Sequence, residues 1–376
     1  MKELNLNNAV SYHYDKFPPT IDYQRILPSL ISATSALARY DQMLKNLHNS
    51  EILLAPLRNQ EAVISSRMEG TISTMDEIMK FSADEDDSKD GITNPNNYRD
   101  DVIETILYQR ALSNAQKAFI DGYELTPSVI KTMHRQLLSF GRGARKNPGQ
   151  FKTEQNYIGD ELRKNISFVP ISPEKLDEGL DKLFDYINNS QDIALLKTAL
   201  MHIEFEALHP FQDGNGRIGR MLITLLLWTE NIISQPHFYI SGYFEDNKDR
   251  YIELMRNVSE ENNWTDWCIF FFNAVENQAN KNLEISENIK NLYEEMKGIF
   301  SEKLSSRWCV NAIDYIFTNP IFRNNKFTSK SGIPKPTAQR FTRILLQEGI
   351  ISQLEEASGR SPALYSFEPL MKLVRV

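Results

Sequence analysis

At 376 residues, 41% hydrophobic and 24% charged, the chain can bury a substantial core and divide into more than one domain. No apolar stretch approaches the roughly 20 residues needed to span a bilayer, and residues 1–16 lack the apolar h-region of a secretory signal. Only Cys268 and Cys309 occur, with no C-x-x-C pair, so neither a disulfide framework nor a zinc site is indicated, and a soluble protein of a reducing cytoplasm is expected.

Apolar periodicity predicts helices over residues 21–47 and 57–81. Within the second, Ser65-Ser-Arg-Met-Glu69-Gly70 sets Ser65 and Glu69 on one face at i and i+4, and Gly70 suits the C′ position of a helix end. Residues 83–97 are acidic and turn-rich and read as a loop. Helices over 101–120 and 126–139 follow. Residues 148–170 predict a short hairpin, because Phe151, Tyr157 and Ile158 favour strand. Two more helices, over 173–188 and 192–208, lead to His209 at the C-terminal end of the second. His202, seven residues earlier, reads as a packed helix residue rather than a metal ligand, given Ile203, Phe205 and Leu208 around it.

The most informative string is His209-Pro-Phe-Gln-Asp213-Gly214-Asn215-Gly216-Arg217-Ile-Gly-Arg220. Gly214 and Gly216 let the backbone turn and present successive N–H groups at the start of a helix over 216–231, an anion-binding arrangement. His209 is the only group in the string that takes up a proton near neutral pH, so it suits a general base. Asp213 offers hard oxygens for Mg²⁺ held mainly by waters and phosphates. Arg217 and Arg220, three apart, can grip phosphate oxygens with planar forks.

Helices over 248–259 and 264–300 complete an all-α core with one hairpin. The charge then changes sign. Residues 301–376 carry 11 Lys/Arg against 6 Asp/Glu, or +5, within a chain whose net charge is −8. Helices over 312–318, 327–331 and 336–349 and strands over 350–354 and 364–367 resemble a winged helix-turn-helix. Ala338, Phe341, Ile344 and Leu345 would face its core, while Arg340, Arg343 and Gln347 share an outer face. That face fits a recognition helix on DNA, and it equally fits a solvated face or a protein-docking module, since a basic stripe alone supplies only nonspecific attraction.

The string from His209 to Arg220 resembles the signature H-P-F-x-D/E-G-N-G-R-x-x-R of the Fic family (the Fic/Doc fold), and every position matches. The resemblance implies a mainly α fold: a Fic helical core with a β-hairpin flap, here followed by the winged-helix module. It implies transfer of AMP from Mg-ATP to a hydroxyl side chain of a protein. His209 would be the base, Asp213 the magnesium ligand, Gly214, Asn215 and Gly216 the phosphate cradle, and Arg217 and Arg220 the β/γ-phosphate contacts. Ser65, Glu69 and Gly70 match the inhibitory motif S/T-x-x-x-E-G/N of some members, in which Glu69 would take Arg220 from the γ-phosphate. Residues 149–159 match the pre-flap pattern, the flap serving as an edge to which an acceptor segment adds a strand. Tyr243 and Tyr251 occupy positions similar to those lining the adenine pocket. The expected organisation is residues 1–95 with the inhibitory helix, 96–300 as catalytic core and 301–376 as winged helix. Partners implied are ATP, a protein bearing the hydroxyl, a second copy of the chain and DNA, with no membrane. Two alternatives stay open: the same site removes AMP, with Glu69 positioning a water, or a nucleotide-sensing core serves a transcription regulator.

Overall fold

The computed structural model describes residues 5–45, 51–85, 98–160, 165–359 and 361–376. Numbered in chain order, the first half forms β1 (Val10–Ser11), α1 (Tyr23–Lys45), α2 (Glu51–Met68), α3 (Met75–Asp84), α4 (Asp100–Ile120), α5 (Pro127–Leu137), β2 (Ile158–Asp160), β3 (Asn165–Val169) and α6 (Pro173–Asn189). The second half forms α7 (Ala194–Leu208), α8 (Asn215–Thr229), α9 (Ser241–Asp246), α10 (Lys248–Glu261), α11 (Trp264–Leu304), α12 (Cys309–Thr318), β4 (Ile321–Arg323), α13 (Asn324–Lys330), α14 (Lys335–Gln347), β5 (Ser352–Glu355), β6 (Leu364–Ser366) and α15 (Glu368–Val374). The chain is mainly helical, as its periodicity predicts.

Residues 1–42 and 107–280 make one compact unit and residues 43–106 and 281–376 another. This division differs from the three consecutive segments expected from the sequence. Residues 51–84 group with the C-terminal segment, and α11 runs through the boundary placed at residue 300.

In the first unit the core is α7 against α8. α7 is apolar nearly all round, the mark of a helix enclosed on every side, with every residue from Leu195 to Leu208 except Glu206 buried, and α8 is buried from Arg217 to Leu227. Trp267 of α11 donates its indole N–H to the Ala199 carbonyl at 2.9 Å and so anchors α11 on α7. The hairpin is present but starts later than predicted: Phe151 lies in the connection before it, and β2 begins at Ile158. Residues 161–164 lie outside the described residues. A strand that the sequence does not signal, β1, pairs parallel with β3, Val10 opposite Phe168, giving the order β1-β3-β2. Next to β1, the buried Glu204 carboxylate accepts from the Tyr12 hydroxyl at 2.6 Å and from His13 Nε2 at 2.7 Å, fixing the N-terminal segment on α7. β3 is therefore covered on both edges and β2 keeps the outer one.

In the second unit the helix predicted over 57–81 is two helices. α2 stops at Met68, the N–H groups of Glu69 and Gly70 bond back to Ser66 and Arg67, and Gly70 adopts φ +88°, which only glycine takes without strain. Thr74 then starts α3 with a capping box: its hydroxyl accepts from Glu77 N at 3.3 Å while the Glu77 carboxylate accepts from Thr74 N at 2.9 Å. Of the acidic segment read as a loop, Ala83 and Asp84 are helical and residues 86–97 lie outside the described residues.

α2 packs on α12 and α15, and α3 on β4. Gln60 of α2 donates to the Val374 carbonyl at 2.8 Å, and Arg375 holds the Asp76 carboxylate at 2.9 Å. Arg323, its side chain 8% exposed, pairs with Asp84 and with Glu355, so α3, β4 and β5 meet at one guanidinium. β4, β6 and β5 form an antiparallel sheet in that order. On α14, Ala338, Phe341, Thr342 and Leu345 are buried and Ile344 only half-buried, while Arg340, Arg343 and Gln347 are exposed. Fully burying Phe341 and Leu345 contributes about 1.5–3 kcal/mol each.

Candidate functional site

His209 closes α7 in the left-handed conformation, φ 46° and ψ 61°, with its N–H on the Phe205 carbonyl at 3.0 Å. A non-glycine residue there costs about 1–2 kcal/mol, so the surroundings must hold it. Its Nδ1 lies 3.3 Å from the Glu206 carbonyl oxygen, which can only accept. Nδ1 therefore carries the ring proton, and Nε2 carries the lone pair that can take a proton from a hydroxyl.

The turn after His209 is closed by Asn215, whose Oδ1 accepts from Phe211 N and whose Nδ2 donates to the Phe211 carbonyl, both at 2.8 Å. Its side chain is thus committed to the loop, and what it offers an anion is its main-chain N–H. Gly214, at φ +78°, caps α8, whose first N–H groups have no carbonyl one turn back. The Asp213 carboxylate, its side chain 39% exposed, accepts from Gly214 N at 2.6 Å and lies 3.5 Å from an Arg217 terminal nitrogen. Arg217 and Arg220 are each 3% exposed. Two guanidiniums held away from water beside a helix N-terminus make a strongly anion-seeking wall.

Beneath the loop lies a set of residues of which the sequence singles out only Asn156, through the pre-flap pattern. His134 of α5 stacks on Phe211, ring centroids 3.7 Å apart and 5° from parallel. Its Nδ1 accepts from Gly149 N at 2.8 Å, so its Nε2 donates to the Asp213 carbonyl at 2.9 Å. Burial pushes its pKa down to about 4, which keeps the ring neutral and the bracket intact. Lys152, 4% exposed, donates from Nζ to the Leu208 carbonyl at 3.0 Å and to Asn156 Oδ1 at 2.9 Å, and from its main-chain N to the Pro210 carbonyl at 2.8 Å. Burial lowers its pKa to about 7. Asn156 Nδ2 donates to the carbonyls of His209 and Phe211 at 3.0 and 2.9 Å.

The two tyrosines assigned to a base-binding pocket part company. Tyr251 is 4% exposed, bonded through its hydroxyl to His202 Nε2 at 2.9 Å and stacked on Phe244 at 4.6 Å, so its ring faces are occupied by the core. His202 is the packed residue the sequence implies: burial, then the charge of Arg220, holds its pKa down to about 3. Tyr243 keeps partial exposure beside Phe270. The residues after Tyr251 on α10 line a cavity of about 470 Å³, where Ile252 and Met255 face Ile158, Phe168, Ile203 and Ala207, with Glu206 and Arg256 as polar edges. That cavity begins one helical turn from His209. Of the inhibitory motif, Ser65 is buried in α2, whereas Glu69 and Gly70 are exposed just past its end.

The model of the Fic/DOC family N-terminal region matches residues 27–117, and that of the Fic/DOC family matches residues 124–227, together just over half of the chain. The protein adenylyltransferase fic-1 of Caenorhabditis briggsae is 32% identical over 110 residues, 28% of this chain and 20% of that protein. A probable protein adenylyltransferase of Aquifex aeolicus is 31% identical over 162 residues, 42% of this chain and 46% of that protein. The chain thus spans less than half the length of these relatives. A Fic family protein from Desulfovibrio desulfuricans shares the fold with a TM-score of 0.56 at 17% identity, covering 93% of this chain and 97% of that one. Fic-1 of Caenorhabditis elegans gives 0.54 at 18% identity over 71% of this chain and 74% of that one. With two family models matched and the fold shared along nearly its whole length, the chain belongs to the Fic/DOC family.

Proposed function

We propose that the protein transfers AMP from ATP to a hydroxyl side chain of an acceptor protein, itself included. The observation that carries this reading is His209, held with Nε2 as proton acceptor directly before the glycine-framed, arginine-backed N-terminus of α8. Nε2 takes the proton of the acceptor hydroxyl as its oxygen bonds to the α-phosphorus. The bond from that phosphorus to the bridging oxygen breaks, and pyrophosphate leaves. The N–H groups of 215–217 and the guanidiniums of Arg217 and Arg220 hold the β- and γ-phosphates in line, and such positioning supplies most of the rate in phosphoryl chemistry. The apolar cavity beside Ile252 and Met255 has the size and character to seat the adenine ring, with Tyr243 rather than Tyr251 left to contact it.

Asp213 fits magnesium: a single half-exposed carboxylate suits an ion that keeps its waters and phosphate oxygens. Among the described residues no group of three or more His, Cys, Asp or Glu forms a protein cage. When bound, the ion would neutralise charge on the phosphates. In this reading Glu69, exposed at the end of α2, restrains transfer by competing with the γ-phosphate for Arg220, and a reducing cytoplasm is the setting. Incubation with labelled ATP tests the reading: His209→Ala should lose roughly 10²–10⁴ in rate while still binding nucleotide. Equal labelling by the variant would remove His209 from the chemistry.

A second reading concerns the C-terminal segment alone. Its order, α12-β4-α13-α14-β5-β6, and the exposed Arg340, Arg343 and Gln347 support a winged-helix module that binds duplex DNA. A labelled duplex bound equally by the wild type and by an Arg340→Ala, Arg343→Ala variant would count against it.

A further inference from the structure

We infer that Lys152 and Asn156 are positioning residues that hold His209 in its left-handed conformation and tie it to the root of the β2–β3 hairpin. Four consecutive carbonyls, from Leu208 to Phe211, accept hydrogen bonds from the short segment 152–156. Leu208 accepts from Lys152 Nζ, His209 from Asn156 Nδ2, Pro210 from Lys152 N, and Phe211 from Asn156 Nδ2 again. Lys152 Nζ also bonds Asn156 Oδ1 at 2.9 Å, so the two side chains brace each other. A buried ammonium is costly to bury, and Met would fill the same space; here the amine serves the carbonyl that precedes His209.

Carbonyl directions fix backbone torsions, and those torsions determine where the imidazole points. A residue at φ 46° returns to the helical or extended region unless its flanking peptides are pinned, and here they are pinned from outside α7. The pin is also the foot of the hairpin. Asn156 stands two residues before Ile158, the start of β2, and Gln155 Nε2 bonds the Asn156 carbonyl at 2.9 Å and the Pro170 carbonyl, just beyond β3, at 3.1 Å. A displacement of the hairpin, such as an acceptor strand pairing with β2 would impose, is therefore delivered to the peptide of His209.

The consequence rests on His209 being the base, but the placement can be read without turnover. Asn156 is half-buried, so Asn156→Ala should fold; Asn156→Asp keeps the shape and turns the donor into an acceptor facing two carbonyls. In the full chain labelled with ¹⁵N-histidine, wild-type His209 should show the Nδ1–H tautomer, and both variants should show an averaged ring while His134 keeps its own signal. AMP transfer should fall roughly tenfold to a hundredfold in kcat, in the order Asn, Ala, Asp, with KM for ATP within about twofold, since misplacement by about 1 Å costs that much. Lys152→Met should behave like Asn156→Ala, and Lys152→Arg should recover most of the loss. Unchanged His209 resonances in a folded Asn156→Asp variant would overturn the inference, as would equal kcat in the Ala and Asp variants. A wild-type chain that transfers no AMP yet shows the expected ring signals would instead refute the enzymatic reading and leave this placement supported.

Discussion

Replacing His134 by glutamine should flatten the loss of stability that the wild-type chain suffers on acidification. His134 is fully buried, with its pKa lowered from 6.5 to about 4 by burial first, reinforced by the charge of Arg217 and opposed by the Asp213 carbonyl. Below pH 6.5 the unfolded chain takes up a proton that the folded chain refuses until about pH 4, so the folded state loses ground across that window and the loss levels off below it. The window corresponds to about 3 kcal/mol. His202, whose pKa is pushed down to about 3, imposes its own loss on both proteins, so the difference between them isolates His134. Urea midpoints at intervals between pH 7 and pH 4.5 give the two curves. The variant will start lower, because it lacks the bonds to Gly149 and Asp213, but should fall less steeply. Curves that run parallel would show that His134 is not held neutral by its setting, and the bracket under the loop would have to be redrawn.

Asp213→Ala should cut AMP transfer on the order of tenfold or more at low magnesium and recover partly at high magnesium; full transfer in excess chelator would contradict the role proposed for the carboxylate. Glu69→Gly should raise ATP affinity and self-labelling by roughly 5–150-fold, the range of a coupling between two sites. The same change in an Arg220→Ala background should do little, and calorimetry showing independent effects would return residues 65–70 to a plain helix terminus. Gly214→Ala should cost about 1–2 kcal/mol in thermal or urea unfolding, because its φ of +78° disfavours any Cβ and Leu137 Cδ2 would lie 3.3 Å away; an unshifted midpoint would mean the turn relaxes freely.

The loop from His209 to Arg220 was legible because its chemistry is contiguous: spacing alone puts base, carboxylate, glycines and guanidiniums together. What holds that loop was not. His134 and Lys152, 75 and 57 residues before His209, are ordinary residues until folding apposes them, and Asn156, although it stands in the pre-flap pattern, carries no sign there of its bonds to the loop. Gly70 follows the end of α2 as its C′ reading implies, but apolar spacing that continues on both sides carries the predicted helix past it to residue 81, although Thr74-x-x-Glu77 announces a new helix start. β1 and β4, two and three residues long, are too short for any period to register. On α10 the resemblance points to Tyr251, whereas the core claims that ring and leaves the neighbouring Ile252 and Met255 on the cavity. On α14 Ile344, expected in the core, is only half-buried, and Thr342, to which the sequence assigns no place, is buried.

The grouping of α2 and α3 with α12–α15 also has a consequence in time. The ribosome releases residues 51–84 about 225 residues before the first of their packing partners among 309–376, which at about 5–20 residues per second is roughly 10–45 seconds. Throughout that interval Ile78, Met79 and Phe81, buried in the finished protein, have no α12 or β4 to cover them. The nascent chain has by then already produced the whole of the His209–Arg220 loop and the helices around it. A message that ends before β4 would yield a chain with the loop written in full and with α2 lacking the helix α15 and α3 the strand β4 on which they pack.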